Sequence, residues 1–140
     1  MTKILPLAIF IVVSCIATLQ DICSGKVLRV MLLGCIVAIL ILQIFIGKKV
    51  FIDSIMGALF GIGLFLLVWL LTHHKLGLAD VWYAGCMGAV LGLFWLFPAI
   101  IFACFCGILY CVIKKSRTIR FIPFMATGAI ATMAVRIIYA

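Results

Sequence analysis

The chain has 140 residues, 69% of them apolar, with a mean hydropathy of +1.52 and a net charge of +8. That apolar share is far above the roughly 45–50% of a soluble domain, which excludes a water-soluble globular fold. Spans of about 20 residues would use nearly the whole length, so residues 1–140 are expected to form one transmembrane unit with no extramembrane domain.

The first apolar span runs from about Ile4 to Gln20 and delivers Asp21 to the membrane edge. A polar gap, Asp21 to Arg29, precedes a second span over roughly Val30 to Ile46, which Gly47-Lys48-Lys49 closes. The third span follows Asp53-Ser54 and ends near Thr72. Asp53 is suited to be its N-cap, accepting hydrogen bonds from first-turn amides. After the gap His73 to Asp80, the 33 residues from Val81 to Ile113 are too long for one straight span and short for two. We divide them near Trp95 to Pro98, with Pro98 in the first turn of the fifth helix, where a missing N–H costs nothing. A basic gap, Lys114 to Arg120, leads to a sixth span from Pro123 to the C-terminus. The expected fold is thus an all-α polytopic membrane protein of about six transmembrane helices. Two GxxxG pairs, Gly57/Gly61 and Gly88/Gly92, give the third and fourth spans smooth faces for close packing.

Charge sets the orientation. The gaps after spans one, three and five hold Lys26, Arg29, Lys75, Lys114, Lys115, Arg117 and Arg120, against Lys3, Lys48, Lys49 and Arg136 on the other side. The positive-inside rule places the first group in the cytoplasm and both termini outside. Asp21 and Asp80, two of only three acids in a chain without glutamate, belong to that cytoplasmic set.

A carboxylate beside a bilayer is costly unless it is solvated, paired or used. Two on one face point to an aspartyl enzyme, in which one carboxyl is the general base for water and the other the general acid. The competing explanation is ion pairing, of Asp21 with Lys26 or Arg29 and of Asp80 with Lys75.

The surrounding residues add a resemblance. Gly77-Leu78-Ala79-Asp80-Val81, opening an apolar helix, resembles the GxGD motif of the type IV prepilin peptidases, a family of intramembrane aspartyl proteases. Asp21-Ile22-Cys23-Ser24-Gly25-Lys26-Val27-Leu28-Arg29 is similar in position to the family's first aspartate segment, which carries an I-P-N element. The segments Ile52 to Ala58 and Arg120 to Ala129 look like the glycine-bearing span before GxGD and the I-P-F ending. Two departures are evident: Ala79 replaces the second glycine, and Val27-Leu28-Arg29 replaces I-P-N.

The resemblance implies catalytic residues Asp21 and Asp80, and a substrate that is a type IV prepilin or pseudopilin precursor helix. The short basic leader would be removed at the cytoplasmic face of the bacterial inner membrane. Gly77 and Ala79 become candidate substrate contacts. Pro123 joins them if Ile122-Pro123-Phe124 offers backbone to an extended peptide; the alternative is a proline opening a helix. The chain has neither the length nor the CxxC pairs of larger members that N-methylate the new terminus, so a peptidase-only form is expected. The rival class is a catalytically degenerate or non-enzymatic membrane subunit of a pilus assembly or export system.

Other signals are weaker. His73-His74 have no third ligand in view, so no metal or other cofactor is expected. No basic stripe alternates with exposed aromatics, so no nucleic-acid partner is expected either; the lipid bilayer is the other partner. Six of the seven cysteines lie in apolar spans as packing residues. Val12-Val13-Ser14-Cys15 fits a lipoprotein cleavage site only loosely, and cutting there would detach the helix that positions Asp21. Trp69, Trp82, Trp95, Tyr83 and Tyr139 lie near span ends and read as interfacial anchors, with Trp82 and Tyr83 also near any substrate path.

Overall fold

A computed structural model describes residues 4–24, 29–73, 77–115 and 121–139. These form five α-helices: α1 (Ile4–Ser24), α2 (Arg29–Ile46), α3 (Lys48–Leu71), α4 (Leu78–Lys114) and α5 (Ile122–Tyr139). All five are long and apolar enough to cross a membrane. Helices satisfy their backbone polar groups internally, which is what a chain this apolar requires in lipid. Large apolar side chains such as Val30, Phe45, Leu71, Phe94 and Ile138 face outward, as expected where lipid is the solvent.

Gly92, inside α4, has φ 78° and ψ 171°, values essentially confined to glycine. The chain reverses there. A methyl group placed on Gly61 would lie 2.6 Å from the Ala84 carbonyl oxygen and 3.5 Å from Leu96 Cδ2. Ala84 and Leu96 would be about 18 Å apart along an unbroken helix. They flank one glycine only because residues 93–114 fold back alongside residues 78–91. Two antiparallel segments therefore occupy the 37-residue helix, in keeping with about six spans. The division lies at Gly92, not between Trp95 and Pro98. Pro98 sits in the second turn of the returning segment, where its ring leaves the Phe94 carbonyl without an i+4 amide. A one-residue reversal needs the positive φ that glycine tolerates, and proline supplies the wrong geometry for it.

Gly47 acts similarly between α2 and α3, at φ 156° and ψ 151°. A methyl on Gly85 would meet both Ile36 and Ile62, so α2 and α3 also lie side by side. Helix α3 therefore starts at Lys48, and Asp53 is not its N-cap; the N-cap position is Gly47, which has no side chain to offer. Helix α1 likewise continues past Gln20, so Asp21 lies in its last turns.

The first segment of α4 is the centre of the bundle. From Asp80 to Gly92 every residue except Trp82 is buried. The two GxxxG pairs meet here: a methyl on Gly57 or on Gly88 would overlap backbone of the other helix. Small residues let α3 and α4 approach to backbone contact, the packing that replaces the hydrophobic effect inside lipid.

Candidate active site

Asp21 and Asp80 are brought to the same end of the bundle, Asp21 late in α1 and Asp80 in the first turn of α4. They are 9% and 8% exposed, and close enough for their charges to interact directly. The local sequence explains how Asp80 is held. Gly77 is the N-cap in an extended conformation, and Asp80 is the third helical residue. Its carboxylate accepts a hydrogen bond from the Gly77 backbone N–H, while its own N–H donates to the Gly77 carbonyl at 3.0 Å. This is the carboxylate half of a capping box, with glycine in the capping position.

The same helix ends make the two acids inequivalent. A carboxylate in a first turn faces the positive end of a helix dipole, and one in a last turn faces the negative end. A pair in such surroundings can hold one proton between two unlike groups, the condition for acid–base division of labour.

Beneath the acids, α1 and α4 are pinned together. Tyr83 is fully buried, and its hydroxyl donates to Ser14 Oγ at 2.8 Å. Its ring packs on Phe10 at 5.9 Å between centroids. Ser14 is two turns from Asp21 on one face of α1, and Tyr83 is one turn from Asp80 on one face of α4. The contact sets the axial register in which the acids meet. Tyr83 is thus neither an interfacial anchor nor a residue on an open path, because a tyrosine fully removed from the surface needs an internal partner for its hydroxyl.

Gly77 has φ −68° and ψ 135°, which any residue adopts, and a methyl there would stand 3.4 Å from Asp80 Oδ2, an ordinary contact. Ala79 is helical and half-buried, so the backbone at this position makes no demand that only glycine meets. Pro123 is the second residue of α5, on the same end of the bundle. Its segment is helical, with Met125 N–H bonded to the Phe121 carbonyl at 3.0 Å, so Ile122-Pro123-Phe124 is not an extended strand. Lys3, Lys26, Val27, Leu28, His74, Lys75, Arg117 and Arg120 lie outside the described residues. Among the described residues no three potential metal ligands come together.

A second polar cluster, at the opposite end of the bundle, escaped sequence reasoning. Asp53 Oδ1 accepts a hydrogen bond from the Leu93 N–H at 3.3 Å, capping the returning segment of α4 from another helix. Arg136 Nη1 donates toward the Val90 and Leu91 carbonyls at 3.5 and 3.4 Å, and Gln43 Nε2 donates to the Ala89 carbonyl at 2.9 Å. Both broken helix ends are therefore capped by side chains. Only the break itself gives these residues a task, and the break is hidden in a GxxxG pattern.

Fold and site together define a polytopic helical membrane protein with two buried acids converging at one end. A family model of the type IV leader peptidases matches residues 8–112, a stretch that includes both acids and ends before Pro123. The chain belongs to the type IV leader peptidase family, and a leader-peptidase-like function comes with that membership. No curated protein and no solved structure matches the chain.

Proposed function

We propose that the protein is an aspartyl endopeptidase that removes the leader from type IV prepilin- or pseudopilin-like precursors, with Asp21 and Asp80 as the catalytic dyad. The observation that carries this reading is the convergence of two buried, like-charged groups from separate helices. Their mutual repulsion in a partly desolvated place is a cost to folding that a merely structural role does not call for.

In the proposed reaction the ionised carboxyl takes a proton from water, whose oxygen attacks the scissile carbonyl. The protonated carboxyl gives its proton to the developing oxyanion, forming a neutral diol. Collapse of the diol breaks the C–N bond, and the leaving nitrogen receives the proton first taken from water. The Gly77 N–H holds Asp80 in position through these steps. Gly77 and Ala79 border the dyad and are assigned to substrate contact; Pro123 is assigned there more remotely, as the opening of a neighbouring helix.

The charge distribution supports a dyad on the cytoplasmic side of a bacterial inner membrane, with both termini outside. The precursor's apolar helix would then lie in the bilayer beside the enzyme while its basic leader stays in the cytoplasm. A catalytically degenerate subunit is the rival, and the helical setting of Ala79 removes one reason for favouring it. The test is incubation of purified protein with prepilin-like precursors, the products being read by mass spectrometry. A single cut between leader and apolar helix is expected. Intact precursors across several leaders, with a well-folded protein, would overturn the proposal.

A further inference from the structure

At the end of the bundle opposite the acids, a cavity of about 300 Å³ lies against the break in α4. Its walls include Gln43, Asp53, Ser54 and Arg136 among apolar side chains. Ile4 and Ile137, also on its walls, are exposed, so the cavity reaches the lipid-facing surface. The volume matches the lower range of small-molecule sites and would hold about ten waters.

Three features of the lining call for a ligand bearing both charges. Asp53 and Arg136 flank Gly92 and its neighbours, yet make no ion pair with each other. Both Arg136 contacts use Nη1, leaving Nε and Nη2 hydrogens to donate elsewhere. Gln43 is 4% exposed, its nitrogen is committed to Ala89, and its Oε1 has no donor among the described residues. A buried amide oxygen left in that condition costs free energy that an incoming N–H recovers.

We infer that this cavity binds the headgroup of an aminophospholipid: its phosphate on Arg136, its primary ammonium shared by Asp53 and Gln43 Oε1, and its chains leaving past Ile4 and Ile137. The ammonium must carry hydrogens, because Gln43 accepts a hydrogen bond that a trimethylammonium cannot donate. A broken membrane helix is a fitting place for such a site, since its ends present backbone and side-chain charge where the surroundings are otherwise apolar. The inference does not depend on the peptidase reading.

The test is native mass spectrometry of the full chain in micelles with equal amounts of phosphatidylethanolamine, phosphatidylcholine and phosphatidylglycerol. One retained phosphatidylethanolamine is expected, preferred over each competitor by about tenfold, the effect of one charge-assisted hydrogen bond. Gln43→Leu should bring the ethanolamine-to-choline ratio toward one, and Arg136→Gln should reduce retention of all three. Equal retention of phosphatidylcholine and phosphatidylethanolamine by wild type would overturn the proposal without recourse to any variant. Equally tight binding of free phosphoethanolamine would overturn the lipid assignment in favour of a soluble solute.

Discussion

The two ends of the bundle use charge in opposite ways. Around Asp21 and Asp80, like charges from different helices are brought together and buried. Around Gly92, opposite charges are kept apart, each turned to a broken helix end. Stability alone would favour neither a repulsive pair nor opposite charges held out of contact. The second arrangement is explained by the backbone it caps. In the first, Asp80 caps the start of α4 through the Gly77 N–H, but capping does not call for a second acid beside it, which is why chemistry is the better account of the pair.

The contrast can be broken most severely at the reversal. Gly92→Val should destabilise the protein by about 3 kcal/mol or more, because the backbone conformation excludes a β-branched residue and the new side chain would run into Asp53. Unfolding in mixed micelles would measure it; a stable variant would mean that the chain does not reverse there. Charge removal then gives effects of opposite sign at the two ends. Arg136→Gln should lower stability by about 1–2 kcal/mol by weakening the cap on the Val90 and Leu91 carbonyls. Asp80→Asn keeps an acceptor for the Gly77 N–H and removes the repulsion from Asp21, so stability should hold or rise by up to about 1 kcal/mol. A clear loss at Asp80 would point to ion pairing instead of a catalytic pair.

Smaller effects sharpen the picture of the dyad end. Tyr83→Phe keeps the ring against Phe10 but leaves Ser14 without its donor, and should cost about 1 kcal/mol. Cleavage should slow through kcat with KM little changed, since the residue sets register and touches no substrate. Ala79→Gly should cost about 0.5–1 kcal/mol, the penalty of glycine in a helix. A gain in stability from Ala79→Gly would show that the backbone here is strained by alanine.

Composition and hydropathy made the membrane-spanning helices legible, and the scarcity of acids singled out Asp21 and Asp80. Asp53 was misread because Asp-Ser before an apolar run looks like a helix start. The helix in fact begins at Lys48, and its N-cap lies six residues earlier than Asp53, at Gly47, where the chain reverses. The break at Gly92 was hidden for a related reason: glycine four residues after glycine reads as packing, while Trp-Leu-Phe-Pro reads as punctuation. Proline in an apolar helix breaks one hydrogen bond; glycine at positive φ turns the chain around. The Ser14–Tyr83 bond joins residues 69 apart in sequence, and no local pattern announces a partner at that distance.

The central claim is that Asp21 and Asp80 work as one unit. Its most direct test is the rate of prepilin-like precursor cleavage by wild type, Asp21→Asn, Asp80→Asn and the double variant, each checked for folding. The account predicts cleavage by wild type and a loss of roughly 10²–10⁴-fold in either single variant, with the double no worse than the singles. Either single variant cleaving at the wild-type rate would contradict it.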